Sequence, residues 1–172
     1  MEILVILESL AFIFGVISVY KATQQNKETW WYGLLNVAFM MMVFLMTELY
    51  YSASLQVVYG LSSIIGLMAW LKDWRPSISW VTLLSIWLIG SFITNYLNLS
   101  TIWDSQVFVL ALLGTILLVA KDIRCWAFFI LSDIIGVKVC LEMGLYVSAT
   151  QYLFFILLCI KGYKEWKSLK TI

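Results

Sequence analysis

The sequence predicts an all-α integral membrane protein with seven transmembrane helices, arranged as two three-helix repeats on either side of a single fourth helix. Three observations support this fold class: the composition, the length of the apolar runs and a duplication within the chain. Apolar residues make up 63% of the 172 residues and charged residues only 12%, whereas an ordinary soluble domain is about a quarter charged. The composition therefore indicates a lipid environment.

The apolar runs are long enough to cross a bilayer, which takes roughly 20 residues of helix. Seven such runs follow one another and use most of the chain, so we expect no separate soluble domain. In chain order, the predicted spans are residues 3–20, 30–47, 51–71, 79–96, 103–121, 125–143 and 146–164. The first run has no basic leader and no small-residue cleavage site, so we interpret it as a span and not as a signal peptide.

The first three spans and the last three are similar to each other at a constant spacing. Trp30 matches Trp126 and Trp70 matches Trp166, in both cases 96 positions apart, and the alignment needs no gap. Chance similarity between apolar helices is the alternative, but it would not pair tryptophans at one fixed offset. The chain is therefore interpreted as an internal duplication.

The number of spans predicts how the two copies are related. Three spans plus one make an even number of crossings, so both copies enter the membrane from the same side, as in transporters of the SWEET type. We expect residues 1–71 to form the first repeat and residues 72–102 to be a linker that contains the fourth helix. Residues 103–172 would then form the second repeat with a short basic tail. Duplicated halves in membrane proteins commonly enclose a transport pathway.

The basic residues predict the orientation. Lys and Arg are found after spans one, three, five and seven, whereas the connections on the opposite side contain none. Because short loops rich in Lys and Arg stay in the cytoplasm, the N-terminus should face outward and the C-terminus inward. Lys138 lies inside span six, one turn before Glu142, and is expected to pair with it at the outer surface.

Catalysis, metal binding and nucleic-acid binding have little support in the sequence. There is no His, so an imidazole base and the usual metal sites are unavailable, and we expect no enzyme, no cofactor and no metal. The three cysteines match no zinc or redox spacing and are interpreted as small buried residues. No basic surface interleaved with aromatic residues indicates a nucleic-acid partner.

The strongest candidate for a ligand-binding group is Asp133 in span six. Ionisable groups at membrane depth are costly and usually functional, and Asp133 lies about 12 Å into its span at 1.5 Å per residue. Trp126, Phe129 and Asp133 have the spacing of one helix face. Two aromatic rings leading to a carboxylate would suit a flat cation, through cation–π attraction and charge pairing. The alternative is a structural Asp133, protonated or hydrogen-bonded to a neighbouring helix.

Other polar side chains are placed to contribute from neighbouring spans. Asn36 on span two occupies the position that matches Ser132, next to Asp133. Gln56 and Tyr59 lie on one stripe of span three, and Tyr152 lies on the matching stripe of span seven. The alternative for each is a hydrogen bond between helices, which is worth only about 0.6 kcal/mol in a membrane.

Several segments resemble the PnuC family of vitamin transporters over nearly the whole chain. They are the run from Trp30 to Val37, the segment from Leu49 to Gly60, the Trp103-Asp104-Ser105 triplet and the end from Leu145 to Trp166. The resemblance implies a multi-pass protein of the bacterial inner membrane that carries an unphosphorylated vitamin by facilitated diffusion. It also implies functional coupling to a cytoplasmic vitamin kinase.

The resemblance also bears on the substrate. Members known for nicotinamide riboside carry Trp, Trp and Asn at the positions of Trp126, Phe129 and Asp133, so two of the three differ here. A carboxylate in place of an amide suits a permanent cation, and thiamine, which the PnuT-like branch handles, is therefore the first expectation. Nicotinamide riboside is the second, followed by riboflavin or a deoxynucleoside. A non-transporting vitamin-binding membrane subunit or a scaffold is the alternative of a different class. We also expect homo-oligomers.

Overall fold

The computed structural model describes residues 2–48, 50–96, 102–142 and 146–169, and these residues form seven α-helices. The helices are α1 (Glu2–Thr23), α2 (Glu28–Met46), α3 (Tyr50–Leu71), α4 (Trp80–Tyr96), α5 (Ile102–Val119), α6 (Cys125–Glu142) and α7 (Tyr146–Leu169). Each predicted span corresponds to one helix, which confirms the seven-helix, all-α prediction. The final helix runs past the predicted end of its span, and its last turns include a Lys161–Glu165 ion pair of 3.6 Å at spacing i, i+4.

The chain divides into two compact units, residues 1–74 and residues 75–172. In the first unit, α1 packs on α2 and α2 packs on α3. In the second unit, α5, α6 and α7 pack in the same sequence, and α4 packs on α5. The fourth helix, predicted as part of a linker, therefore belongs to the second unit. The parallel relation of the two repeats and their orientation in the membrane stay predictions.

The turn between α1 and α2 recurs between α5 and α6, residue for residue. Gln25 and Lys121, 96 positions apart, have left-handed backbones with φ of 51° and 52°. One residue later, the side chains of Asn26 and Asp122 accept hydrogen bonds of 2.9 Å from the backbone two residues on. The left-handed residue ends one helix and the short polar side chain starts the next. The two turns therefore share their backbone geometry as well as their spacing of 96 residues.

Large apolar side chains remain exposed on every helix, among them Phe92 on α4 and Leu157 on α7. A water-soluble protein rarely exposes apolar surface of this extent, whereas lipid-facing helices need no cover. Of the described helices, α1 and α2 are long and apolar enough to span a membrane when helix length and composition alone are considered. Charged residues in α6 and α7, including Asp133 and Lys138, make those helices less apolar.

Arg124 joins the start of α6 to the segment that leads into α4. Its guanidinium pairs with Asp122, with Nη2 2.7 Å from Oδ2, and donates a 2.6 Å hydrogen bond to the backbone carbonyl of Ile78. The same guanidinium lies 4.8 Å from the centre of the Trp80 ring. The hydrogen bond to Asp122 raises the pKa of Arg124 above its ordinary value. These contacts fix the first turn of α4 within the second unit.

Candidate functional site

Trp126, one of the predicted ligand-stacking residues, is enclosed between α6 and α7. Its side chain is only 1% exposed, and its ring stands edge-on to Trp166 with centroids 5.3 Å apart. A Cβ added to Gly162 would lie 2.5 Å from the indole, so the ring rests on bare α7 backbone. Most of the Trp126 surface is therefore used for packing between helices.

The first unit contains the same arrangement 96 residues earlier. Trp30 rests on Gly66 and stands edge-on to Trp70, with centroids 5.4 Å apart at 88°. The Nε1 atoms of Trp30 and Trp126 are both buried, and neither has a hydrogen-bond partner within the described part of the chain. Since the contact occurs in both units, its first role is to hold each pair of helices together.

Phe129 lies one turn after Trp126 and faces the other neighbouring helix. Its ring packs on Gly114 of α5, where an added Cβ would lie 2.7 Å from two ring carbons. The Phe129 and Trp126 rings have centroids 6.4 Å apart and planes inclined by 61°. Two rings at this angle do not form a parallel sandwich around a flat ligand. Phe129 is half-buried, so it is the more accessible of the two.

Asp133 is buried, with 9% of its surface exposed, and it faces α7. Its one polar neighbour among the described contacts is Cys159, whose thiol can donate to the carboxylate over 4.0 Å between Sγ and Oδ2. A thiol is a weak donor, and no ion pair to a basic side chain is found for Asp133 within the described residues. An ionised carboxylate buried at this depth needs a cation to offset its lost hydration.

Tyr152 extends the contacts between α6 and α7 beyond Asp133. Its ring packs on Gly136, one turn after Asp133, where an added Cβ would lie 2.8 Å from the ring. Tyr152 and Cys159 are seven residues apart on α7, so they lie on the face of that helix that meets α6. The structure thus brings Trp126, Asp133 and Tyr152 to the α6–α7 contact and directs Phe129 toward α5.

In the first unit, Asn36 forms a bond between helices. Its Nδ2 donates to the carbonyl of Ala11 on α1 over 2.7 Å. Ser132, at the matching position of α6, donates to the carbonyl of Val107 on α5 over 2.8 Å. The amide nitrogen of Asn36 is therefore engaged in structure. Gln56 and Tyr59 are half-buried on α3, and their part in binding stays a prediction.

Two other expectations from the sequence can be compared with the structure. Lys138 lies 3.9 Å from Glu142, which confirms that pair, and its ammonium also lies 3.7 Å from the centre of the Trp103 ring. All three cysteines are buried, as expected. The contact between Cys159 and Asp133 was not predicted from the sequence.

The glycines at these contacts were also missed as functional candidates. Gly114, Gly136 and Gly162 each receive an aromatic ring from a neighbouring helix. A signal was present in the sequence, because glycine in the middle of a helix costs about 1 kcal/mol relative to alanine and usually has a packing reason. Which ring each glycine receives could be read only from the structure.

Comparisons with known proteins agree on one kind of protein. A family model described as nicotinamide mononucleotide transporter matches residues 5–168. The nicotinamide riboside transporter PnuC of Escherichia coli is 23% identical over 93% of this chain and 84% of that protein. The PnuC of Shigella flexneri gives the same figures. A crystal structure of the vitamin B3 transporter PnuC superposes with a TM-score of 0.77 at 16% identity, covering 95% of this chain and 81% of the other.

The match of the family model extends over nearly all of the described helices, from α1 to the last turn of α7. With residues 5–168 matched, the chain belongs to the PnuC family of nicotinamide mononucleotide transporters, and it is a multi-pass transporter of the bacterial inner membrane and not an enzyme.

Proposed function

We propose that this protein carries nicotinamide riboside across the membrane by facilitated diffusion, with Asp133 as the group that pairs with the pyridinium charge. The observation that carries the proposal is the burial of Asp133 without a basic partner among the described residues. A cationic ligand would supply the missing counter-charge. The names of the relatives refer to nicotinamide riboside and vitamin B3, and they support this substrate better than thiamine, our first expectation from the sequence.

The charge of the site favours the riboside over its phosphorylated form. Nicotinamide mononucleotide carries a phosphate, which needs basic or N–H donors at its binding site. Lys138 is the only base that lies more than three residues from both ends of a predicted span, and it already pairs with Glu142 and the Trp103 ring. A buried carboxylate would repel the phosphate. We therefore propose the unphosphorylated vitamin as substrate, with trapping by a cytoplasmic kinase.

Thiamine remains a second candidate because of the same observation. Its thiazolium ring is also a permanent cation, so charge pairing with Asp133 does not separate it from nicotinamide riboside. Phe129, where the resemblance implies Trp for nicotinamide riboside, is the residue that argues for thiamine. Riboflavin is uncharged and gains no charge pairing from Asp133.

Counterflow in liposomes tests the proposal. The full chain would be reconstituted and the vesicles loaded with unlabelled nicotinamide riboside, and entry of labelled vitamin would be followed without ATP or an ion gradient. We expect exchange, with competition by thiamine and none by riboflavin or by the mononucleotide. Stronger competition by thiamine than by nicotinamide riboside would reverse the order of substrates.

Two further outcomes would contradict the mechanism itself. Strict dependence on a sodium or proton gradient would exclude facilitated diffusion. Binding without exchange, measured on the same preparation, would instead identify a vitamin-binding subunit that does not transport by itself. Liposomes without protein serve as the control for leakage.

A further inference from the structure

We propose that Gly114 on α5 is a positioning residue that fixes the ring of Phe129 and thereby sets which flat cationic vitamin is accepted. The inference rests on the proposed function, because it takes Phe129 as part of the binding site. It goes beyond that function by assigning selectivity to a residue that carries no side chain. Gly114 would act through Phe129 and not by contact with the vitamin.

The geometry leaves no room for any other residue at position 114. An added Cβ would lie 2.7 Å from Cδ1 and from Cε1 of Phe129, and 3.1 Å from Cγ. Real Cβ atoms essentially never approach other atoms this closely, so the ring would have to move. The contact involves one edge of the ring, which can move by rotation about χ2, and its base at Cγ, which moves only by rotation about χ1.

The ring is also limited on its other side. The ring centroids of Phe129 and Trp126 are 6.4 Å apart, and the Trp126 indole itself packs against Gly162 and Trp166. Phe129 thus stands between a fixed indole and the bare backbone of α5. Because Phe129 is half-buried, its depth against Gly114 determines how much of its face remains for a ligand ring.

The contact between α1 and α2 in the first unit has different residues at the two positions that match Phe129 and Gly114. Position 33, which matches Phe129, is glycine, and position 18, which matches Gly114, is serine. A Cβ added to Gly33 would lie 3.4 Å from the Ser18 Oγ, an ordinary contact. In the first unit the glycine is on α2 and its partner on α1 is a small serine, whereas in the second unit the glycine is on α5 and its partner on α6 is a phenyl ring. We therefore treat Gly114 and Phe129 as a pair that together determines selectivity, because the Phe129 ring fits only where position 114 is glycine.

A purely structural role for Gly114 makes different predictions from a positioning role. A packing defect lowers the melting temperature and the fraction of protein that binds, and it affects all ligands alike. A displaced Phe129 ring changes the ratio of affinities between vitamins with different rings. The test therefore needs affinities for two vitamins together with thermal stability.

The experiment compares Gly114→Ala with the parent protein in detergent, with dissociation constants for nicotinamide riboside and thiamine measured by calorimetry. We expect the ratio of the two constants to change by about tenfold, since small displacements at a site cost up to about 100-fold. Gly60→Ala is the matched control, because its added Cβ meets only Val37, at 3.6 Å. An unchanged ratio in folded Gly114→Ala would overturn the inference.

A comparison in the Phe129→Leu background covers the case in which Gly114→Ala does not fold. Phe129→Leu is compared with Gly114→Ala/Phe129→Leu, since the smaller leucine leaves space for the extra methyl group. We expect the two variants to have the same ratio of constants, which is the non-additivity of residues in contact. A further change of the ratio in the double variant would overturn the inference. Failure of the parent to bind either vitamin would instead refute the proposed function.

Discussion

The indole of Trp126 rests on Gly162 and stands edge-on to Trp166, with ring centroids 5.3 Å apart and planes at 84°. The same contact is present in the first unit, where Trp30 rests on Gly66 and stands edge-on to Trp70. In each unit, a buried tryptophan that packs on a glycine joins the last two helices. Packing between helices is therefore a sufficient physical reason for the tryptophans that match between the two units.

Replacement of either glycine by alanine should destabilise the protein. In Gly162→Ala the new methyl group would lie 2.5 Å from the Trp126 ring, and overpacking of this kind costs about 1–3 kcal/mol. Gly66→Ala should give a similar loss through Trp30. Thermal unfolding in detergent measures both, with Gly60→Ala as the control. If Gly162→Ala melted at the same temperature as Gly60→Ala, the contact between Trp126 and position 162 would not be rigid.

Asn36→Ser should leave the fold and the affinity nearly unchanged. The amide nitrogen of Asn36 bonds the Ala11 carbonyl, and Ser132 makes the same bond with a hydroxyl in the second unit. We therefore expect a change in the free energy of unfolding of about 0.6 kcal/mol. Vitamin affinity, measured by calorimetry, should fall less than about fivefold on the same reasoning. A larger loss of affinity with normal stability would restore Asn36 as a ligand-binding residue.

Lys138→Met should have little effect on transport. Lys138 is half-exposed and pairs with Glu142 at 3.9 Å, and exposed pairs contribute about 0–1 kcal/mol. Methionine keeps an apolar stem of similar length but removes the ammonium that lies over the Trp103 ring. Initial rates of counterflow would show whether the ammonium matters. If the variant lost transport of nicotinamide riboside while folding normally, Lys138 would have to contact the substrate, and the charge argument against the mononucleotide would fail.

The sequence predicted the helices well because the signal for them is strong. Runs of apolar residues separated by charged turns leave little choice of where α1 or α6 begins. The contacts of the candidate site were predicted less well. Trp126, Phe129 and Asp133 have one-face spacing, yet Phe129 packs on α5 while Asp133 faces Cys159 on α7.

The spacing of residues along one helix could not predict these contacts. It gives the angle of each side chain around its own helix, but it does not say which neighbouring helix lies in that direction. The glycines of α5 and α7 decide where each ring can enter, and their partners are distant in sequence. The sequence aligns Asn36 with Ser132, but it does not show that both side chains donate a hydrogen bond to a carbonyl of the preceding helix.

The central claim is that the Asp133 carboxylate recognises the positive charge of the vitamin. The most direct test measures the dissociation constants of nicotinamide riboside and of its reduced, uncharged form, for the parent protein and for Asp133→Asn. We predict that the parent binds the charged form at least about tenfold more tightly and that Asp133→Asn loses this preference while keeping its melting temperature. Equal binding of the two forms by the parent, or an unchanged preference in Asp133→Asn, would contradict the claim.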